Sequence, residues 1–332
     1  MALTARAQAQ PNIALVKYWG KRDRALNLPA SGSLSVTLDS LWTRTRVAFD
    51  PTLTRDELLL DGAEHPAALA RVSGCLDLLR ARAGSSMRAQ VDTHNNFPTG
   101  AGLASSASGF AALVLAGSAA LGLTLDQRAL SVLARRGSGS AARSIFGGFV
   151  GMAAGMRADG EDAFATPLLD AAQWPLCVVV AVTSTRAKAV GSGAGMELSR
   201  RTSPFHAAWL AGADADLASA RHALQQRDFA ELAAVSEHSC LKMHAVMLAS
   251  RPALLYWNGA TVECVRAIRA LRERDGVPVF FTIDAGPQVK AVCLPAAAPR
   301  VAAVLGSVAG VERVLTSELG AGARLLTDAE VD

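Results

Sequence analysis

The chain of 332 residues has only five cysteines, and they stand far apart. No two of them form a C-x-x-C pair, so the sequence lacks the usual spacing of a zinc site and offers no disulfide framework of the kind found in small secreted proteins. The first ten residues also lack the apolar segment of an export signal. We therefore expect a reduced protein in the cytoplasm.

Long apolar runs and clusters of like charge are also absent. The most apolar stretches, Phe110 to Leu121 and Leu176 to Val182, are shorter than the roughly 20 residues that a membrane-spanning helix needs. The formal net charge is only +4, and no run of five or more basic residues occurs. These features argue against two classes of partner, membranes and nucleic acids.

Lysine is scarce, because the chain has five lysines against 28 arginines. Two of the five, Lys17 and Lys21, lie in the segment Asn12 to Asp23, where an apolar, strand-like run ends in a basic cluster. Cations at the end of a strand suit a phosphorylated or carboxylated ligand, and the choice of lysine indicates that a compact ammonium is needed. The alternative is an edge strand with a solvated, charged end.

Apolar residues make up 51% of the chain, and many of them are alanine, which predicts helices packed closely on sheets. A length of this size accommodates two domains of roughly 100 to 200 residues each. The pattern changes near Trp174 and Pro175, so we predict an N-terminal domain of residues 1–175 and a C-terminal domain of residues 176–332. In the first domain, Ser33 to Leu38 alternates like a strand, and Arg44 to Phe49 is its predicted hairpin partner.

Small and hydroxylated residues from Phe97 to Gly109 lead directly into the apolar stretch that begins at Phe110. This pattern predicts a loop that opens a helix, where free N–H groups and the helix dipole favour an anion. Serine hydroxyls in the loop could bind phosphate oxygens or magnesium. The alternative is a Gly/Ser turn that caps a buried helix. The spacing matches neither G-x-x-x-x-G-K-[ST] nor G-x-G-x-x-G, so it predicts neither of those folds.

Three further features suit an anionic ligand. A second Gly/Ser loop carries Arg143, whose planar fork can bind a carboxylate or phosphate, although a flexible surface turn is the alternative. Asp284 follows the apolar run Pro278 to Ile283 and precedes a Gly-Pro turn, where it either projects into an active site or caps the turn. The Gly/Ser/Ala-rich segment Ser184 to Gly195 is expected to be a mobile loop that closes over a ligand.

Four of these stretches together resemble the diphosphomevalonate decarboxylase family of the GHMP kinase superfamily. The stretches are Asn12 to Asp23, Asn95 to Gly109, Arg136 to Ser144 and Asp284 to Pro287. The second is typical of GHMP kinases in general, whereas the first and third are specific to the decarboxylases. The resemblance implies an α+β protein with the two-domain GHMP kinase fold, that is a ribosomal protein S5 domain 2-like N-terminal domain and a C-terminal GHMP α/β sandwich. It also implies a site between the domains and a homodimer.

The reaction that this resemblance implies begins as a kinase step. ATP phosphorylates the tertiary 3-hydroxyl of mevalonate 5-diphosphate, and phosphate then leaves as the carboxylate is lost, which gives isopentenyl diphosphate. Asp284 would accept the hydroxyl proton or orient that oxygen. Lys17 would keep Asp284 ionised and offset the growing charge, and Arg143 would hold the substrate carboxylate.

The resemblance also implies the binding residues. The substrate-binding residues are Tyr18, Lys21, Ser138, Ser140, Arg143 and Ser192. The ATP-binding residues are Gly100, Gly102, Leu103, Ala104, Ser105, Ser106 and Ser108, and Ser106 is a candidate contact for Mg²⁺. A mevalonate 3-kinase or a phosphomevalonate decarboxylase on the same fold is the nearest alternative. A non-catalytic sensor would lack one of the charged catalytic residues, whereas this sequence has all three, Lys17, Arg143 and Asp284.

Overall fold

The computed structural model of the protein describes residues 3–98, 102–186, 188–327 and 330. The helices in this part of the chain are α1 (Pro66–Ala83), α2 (Ser105–Ala120), α3 (Gln127–Gly137), α4 (Ser192–Thr202), α5 (His206–Ala211), α6 (Ala213–Gln226), α7 (Phe229–Leu248), α8 (Gly259–Glu273) and α9 (Ala298–Gly306). None of these helices combines the length and the hydrophobicity that crossing a membrane would require.

The strands fall into two groups along the chain. The first group is β1 (Leu3–Ala9), β2 (Asn12–Val16), β3 (Lys21–Asp23), β4 (Leu28–Pro29), β5 (Ser33–Thr37), β6 (Thr43–Asp50), β7 (Glu57–Leu60), β8 (Ala63–Glu64), β9 (Arg88–Asn95), β10 (Phe149–Met152) and β11 (Ala165–Leu169). The second group is β12 (Cys177–Val182), β13 (Val279–Ile283), β14 (Val289–Cys293), β15 (Arg313–Glu318) and β16 (Arg324–Leu325).

A six-stranded sheet with the order β16-β1-β6-β9-β7-β8 packs against helices α1 and α2. Its pairs are antiparallel except for β7 with β9. Helix α2 lies against β1 and β6 and is buried along most of its length, because its many alanines let the helix approach the sheet closely. A Cβ at Gly117 of α2 would lie 2.7 Å from Leu79 of α1, so these two helices also touch closely. The close helix-on-sheet packing predicted from the alanine content is therefore confirmed.

The hairpin predicted between β5 and β6 is wrong. β5 pairs with β10 and β2 in a second sheet of order β11-β10-β5-β2, whereas β6 lies between β1 and β9 in the first sheet. All five residues of β5 are buried, so its alternating pattern does not separate a core face from a solvent face. Alternation identified the strand, but it carries no information about the strand that pairs with it.

A third sheet, with the antiparallel order β13-β14-β12-β15, has a hydrophobic core on each of its faces. Alternate residues of β12 enter different cores, which explains why this strand is an unbroken apolar run. Val178 and Val180 pack in a core that also contains residues of β2, α6 and α7. Val179 and Ala181 pack in a core with α8 and α9. These sheets and helices confirm the α+β class, and the domain boundary near residue 175 stays a prediction.

A buried ion pair fastens α1 to the first sheet. Nη1 and Nη2 of Arg80 each donate to one carboxylate oxygen of Asp56 at 3.0 Å, and the N–H of Ala89 donates to Asp56 at 2.9 Å. Burial raises the pKa of Asp56, but these hydrogen bonds outweigh it and leave the pKa below its ordinary value. The ionised pair therefore stabilises the fold at pH values above the pKa of an unfolded aspartate, and this contribution is lost as the pH falls.

Replacing Asp56 with Asn should lower the free energy of unfolding at neutral pH by about 3 kcal/mol, because the buried Arg80 loses its buried counter-ion and keeps the exposed Asp77 as its charged partner. The difference from wild type should shrink below about pH 4, where the carboxylate becomes protonated in the unfolded and then in the folded chain. Urea unfolding at several pH values measures both effects. As a control, Asp159→Asn, in an exposed pair with Arg157, should change stability little. A loss for Asp56→Asn that does not depend on pH would contradict this interpretation.

Candidate active site

A cleft of about 730 Å³ opens beside the end of β2, the start of α2 and the turn after β13. Seven cationic side chains and, among the described residues, a single carboxylate line it. The cations are Lys17, Lys21, Arg24, Arg71, Arg136, Arg143 and Lys188, and the carboxylate is Asp284. Such an excess of positive charge in a concave site favours a ligand with several negative charges.

Asp284 and Lys17 meet because each directly follows a buried strand, β13 and β2 respectively. Thr282 of β13 donates its hydroxyl to the carbonyl of Ala14 in β2 at 3.1 Å, which holds the two strand ends together. Nζ of Lys17 donates to Oδ1 of Asp284 at 2.7 Å and to the Ala14 carbonyl at 2.8 Å. The Lys17 side chain is buried, whereas 26% of the Asp284 side chain remains exposed. The carboxylate is thus fixed from behind and open toward the cleft.

A second ammonium, which the motifs did not indicate, lies beside the other oxygen of this carboxylate. Nζ of Lys290 in β14 is 3.4 Å from Oδ2 of Asp284. Burial raises the pKa of Asp284, but Lys17 and Lys290 outweigh it and hold the pKa far below the ordinary value. Asp284 is therefore ionised at any physiological pH. The sequence did hold a signal for Lys290, since a lysine within an apolar strand is unusual in a chain with so few lysines.

Arg143 lies in a 3₁₀ helix, Gly139–Ile145, where the sequence predicted a loop. Nε donates to Asn12 at 3.1 Å and to Ser35 at 3.0 Å, and Nη1 donates to Ser33 at 2.7 Å. Nη2 has no hydrogen-bond partner among the described residues, although the side chain is buried and lines the cleft. Burial lowers the pKa of Arg143 to about 10, so it stays charged at neutral pH. An oriented guanidinium with neutral partners suits a carboxylate or phosphate ligand.

The hydroxyl of Tyr18 also lines the cleft region and is buried without a hydrogen-bond partner in the described part of the chain. Burial raises the pKa of Tyr18 to about 12, so the hydroxyl is a neutral donor. A Cβ at Gly139 would lie 2.5 Å from this hydroxyl, so the close approach requires glycine there. Lys21 also lines the cleft, and burial, together with Arg71 and Arg24, lowers its pKa.

A row of hydroxyls connects α2 with the 3₁₀ helix. Oγ of Ser138 is 3.3 Å from Oγ of Ser106 and 3.4 Å from Oγ of Ser140. Helix α2 begins at Ser105, so the serines of the predicted loop belong to the first turns of the helix. Ser105 and Ser106 line the cleft, whereas Ser108 is fully buried and its Oγ lies 2.6 Å from that of Thr43. The predicted contact between Ser108 and ATP is therefore corrected, because the Ser108 hydroxyl faces the core and not the cleft.

The other residues predicted to bind ATP lie in different places. Gly102 and Ala104 line the cleft, whereas the side chain of Leu103 is buried in the core beneath it. Gly102 has a φ of +83°, and a Cβ there would lie 3.3 Å from Cα of Gly286, so the loop approaches the turn after Asp284 closely. Gly100 lies outside the described residues.

Ser192 is the first residue of α4, so the end of the predicted mobile segment is helical. Nζ of Lys188 donates to Oγ of Ser192 at 2.8 Å and to the carbonyl of Ala285 at 3.0 Å. Burial lowers the pKa of Lys188. Lys188 was not predicted from the motifs, and it brings this segment next to the turn that follows Asp284. Closure of the segment over a ligand stays a prediction.

The part of the chain that the structure describes has no cluster of three or more His, Cys, Asp or Glu side chains that could hold a permanently bound metal ion. Ser106 instead offers a hydroxyl at the start of α2. Mg²⁺ commonly keeps several waters and takes most other ligands from substrate phosphates. The donor set therefore fits a magnesium ion that binds together with a phosphorylated ligand.

A smaller cavity of about 170 Å³ adjoins the cleft, and Arg71, Ser105 and Ser106 line both spaces. Its remaining wall is formed mainly by apolar and threonine side chains of α1, α2, β6, β7 and β9. Together the two cavities suit a ligand that joins a flat, apolar group to a chain of phosphates.

Comparison with known proteins agrees with this geometry. Residues 9–165 match the model of the diphosphomevalonate decarboxylase-like N-terminal domain, and residues 178–323 match that of the mevalonate 5-diphosphate decarboxylase C-terminal domain. The chain belongs to the diphosphomevalonate decarboxylase family. The family and the two-domain fold that the four motifs predicted are thereby confirmed.

Individual members of the diphosphomevalonate decarboxylase family match over most of the chain. The diphosphomevalonate decarboxylase of Candida albicans is 38% identical over 299 residues, which are 86% of this chain and 82% of that protein. The crystal structure of the Staphylococcus aureus mevalonate diphosphate decarboxylase has a TM-score of 0.92 and 38% identity, covering 98% of this chain and 99% of that one. MDDEF in complex with MVAPP, AMPPCP and magnesium has a TM-score of 0.91 and 37% identity, covering 98% and 99%.

Proposed function

We propose that the protein catalyses the ATP-dependent decarboxylation of mevalonate 5-diphosphate to isopentenyl diphosphate, carbon dioxide, ADP and phosphate. Its family carries this activity in its name, and one similar structure contains MVAPP with AMPPCP, an ATP analogue, and magnesium. Within this chain, the observation that supports the proposal is an ionised carboxylate, Asp284, which is the one carboxylate that the described residues bring to a cleft lined by seven cations. ATP is the co-substrate and Mg²⁺ the cofactor.

In the first step, the Asp284 carboxylate accepts a hydrogen bond from the 3-hydroxyl and directs that oxygen at the γ-phosphate of ATP. Because its pKa is so low, Asp284 is a weak base, and its main contribution is orientation. As the new O–P bond forms, the bond between the γ-phosphorus and the bridging oxygen breaks and ADP leaves. Phosphoryl transfer through a loose transition state demands little proton removal before this point, and the hydroxyl proton then leaves through the Asp284 carboxylate to solvent. The Lys17 ammonium, which forms an ion pair with Asp284 and lines the cleft, offsets negative charge on the transferring group.

In the second step, Arg143 holds the substrate carboxylate while the new 3-phosphate leaves. Breaking the bond between C3 and the phosphate oxygen makes C3 electron-poor. The electron pair of the bond between the carboxylate carbon and C2 then forms the C2–C3 double bond, and carbon dioxide departs. Ser33, Ser35 and Asn12 orient the guanidinium and leave its charge uncompensated, so that charge is available to the substrate.

The phosphate groups divide between two ends of the cleft. Tyr18, Lys21, Ser138, Ser140 and Ser192 bind the diphosphate of mevalonate diphosphate. The start of α2, with Gly102 and Ala104 to Ser106, binds the ATP phosphates, and the smaller cavity takes the base. Ser106 is the proposed protein contact of Mg²⁺, which when bound neutralises phosphate charge.

Replacing Tyr18 with Phe should weaken substrate binding without a loss of stability. In the absence of ligand its buried hydroxyl has no partner among the described residues, so removing it breaks no hydrogen bond. With substrate bound, the lost bond to a diphosphate oxygen should raise the KM for mevalonate diphosphate about tenfold. Steady-state kinetics and thermal unfolding measure the two effects. In contrast, Tyr256→Phe should lower the melting temperature, because that hydroxyl donates to Val190. If Tyr18→Phe lowered the melting temperature and left the KM unchanged, the Tyr18 hydroxyl would have a structural role and not a role in binding.

The direct test of the proposed function is the amount of carbon dioxide released per ADP formed with ATP and Mg²⁺. Mevalonate 5-diphosphate, mevalonate 5-phosphate and mevalonate are assayed in parallel. We expect a ratio of one with the diphosphate alone. The same ratio with the monophosphate would identify a phosphomevalonate decarboxylase, and ADP without carbon dioxide would identify a 3-kinase. No turnover on any of them would favour a non-catalytic sensor.

We also propose a cytoplasmic homodimer, supported by the sequence resemblance. Light scattering on the eluate of a gel-filtration column should give twice the chain mass of 34.4 kDa. A mass equal to that of one chain over a range of concentrations would contradict the dimer.

A further inference from the structure

Lys290 lies behind the carboxylate of Asp284, on the side away from the cleft. It is fully buried in β14, opposite Val180 of β12 and Thr282 of β13. Its Nζ is 3.4 Å from Oδ2 of Asp284 and donates to the carbonyl of Gly102 at 2.9 Å. Lys290 is not among the described residues that line the cleft, so a bound substrate does not reach it.

A charge in this position is costly for the fold. The neighbouring residues of β14 are Val289 and Ala291, both fully buried, and an apolar side chain at position 290 would fill the space without removing an ammonium from water. The charge must therefore be explained by what it contacts. In the described part of the chain, the ammonium contacts the carboxylate that faces the cleft and the carbonyl of Gly102, which precedes α2.

We propose that Lys290 is a positioning residue: its buried ammonium fixes the second oxygen of Asp284 and, through the Gly102 carbonyl, ties the phosphate-binding loop to β14, which pairs with the strand that leads into Asp284. The inference rests on the function proposed above and adds a residue to it.

The first consequence concerns the carboxylate. The terminal torsion of an aspartate is broad when nothing restrains it. Here Lys17 holds Oδ1 and Lys290 holds Oδ2, so the plane of the carboxylate is set from two sides. The exposed part of the side chain then meets the substrate hydroxyl in one orientation.

The second consequence concerns distance. Gly102 lies close to Gly286, which is two residues after Asp284, and the bond from Lys290 to Gly102 holds that contact. One ammonium thus sets the spacing between the group that orients the hydroxyl and the loop that binds the ATP phosphates. Small displacements of reacting groups reduce rates strongly, so this spacing matters for phosphoryl transfer.

Other titratable groups near Asp284 do not replace Lys290 in this role. Those that interact with Asp284 electrostatically are Lys188 and Arg143 at the cleft and Cys240 and His244 of α7. Burial raises the pKa of Cys240 to about 11 and lowers that of His244 to about 3, so both are neutral under assay conditions. Lys188 donates to Ser192 and to the Ala285 carbonyl, not to the carboxylate.

The test compares wild type with Lys290→Met, which has a similar length and no charge. We expect kcat to fall by about tenfold or more and the KM for mevalonate diphosphate to stay within about twofold, because Lys290 does not touch that substrate. The KM for ATP should rise, since the Gly102 carbonyl loses its donor. The acid limb of the pH profile of kcat should move to higher pH, because one of two ammonium groups that favour ionised Asp284 is gone. A role in stability alone would not move this limb.

Lys242→Met is the matched control. Nζ of Lys242 is 2.6 Å from Asp216, outside the cleft, so this variant also removes a lysine from an ion pair. Neither its kcat nor its acid limb should change. An unchanged kcat in Lys290→Met, or a lower kcat with the wild-type pH profile and KM for ATP, would overturn the proposal.

A readout that does not depend on turnover separates this proposal from the proposed function. The ¹³C carboxyl resonance of Asp284, identified as the one missing from Asp284→Asn, should titrate at higher pH in Lys290→Met than in wild type. If Lys290→Met does not fold, the same resonance is measured in Lys17→Met. Because Lys290 remains beside Asp284 in that variant, the pKa of Asp284 should still lie below that of an ordinary aspartate. Titration at or above the ordinary value would overturn the proposal. A wild-type protein that releases no carbon dioxide would refute only the proposed function.

Discussion

Replacing Asp284 with Asn or Ala should reduce turnover of mevalonate diphosphate by about a thousandfold or more. Asn keeps the shape of the side chain but cannot accept the 3-hydroxyl hydrogen bond with a full negative charge. It also leaves the ammonium groups of Lys17 and Lys290 without their counter-ion, so the positive charge behind the reacting oxygen is no longer balanced. ATP binding should remain within about a few fold of wild type, because the phosphate-binding loop and the start of α2 are unchanged. Calorimetric titration with AMPPCP and the rate of ADP formation measure the two quantities.

Asp216→Asn provides the control for this experiment. Asp216 also forms an ion pair with a lysine, Lys242, but lies outside the cleft. Its loss should leave turnover close to wild type. If Asp284→Asn kept more than about a tenth of wild-type turnover, Asp284 would have no central part in the reaction.

Replacing Arg143 with Ala should lower kcat/KM for mevalonate diphosphate by about a hundredfold or more, because the substrate carboxylate loses a charge-assisted bond in a buried position. Carbon dioxide release should fall more than ADP formation, since the carboxylate is no longer held while the phosphate leaves. Arg143→Lys should recover little of this loss. Arg143 uses different nitrogens of its guanidinium for Ser33, Ser35 and the substrate. A lysine has a single ammonium nitrogen, which cannot reach all three positions at once.

Two measurements check this prediction, namely steady-state kinetics and the ratio of carbon dioxide to ADP. Arg227→Ala removes an exposed arginine outside the cleft and should change neither quantity. Full recovery in Arg143→Lys would mean that charge alone is needed at this position. Unchanged kinetics in Arg143→Ala would remove it from carboxylate binding.

Local sequence patterns indicated several of the individual elements. The apolar run at Leu176 to Val182 is β12, because a strand covered on both faces has no polar side. Lys17 and Asp284 were identified because each is a charged residue directly after an apolar strand.

The sequence by itself therefore determined the family, the elements and the chemistry-bearing motifs, since these depend on residues that are close together along the chain. Only the tertiary structure decided which strand pairs with β5, that Leu103 and Ser108 face the core, and that Lys188 and Lys290 border Asp284. The contacts concerned join residues far apart in the chain. Their geometry follows from how the sheets and helices pack together, and a local pattern of polar and apolar residues carries no record of it.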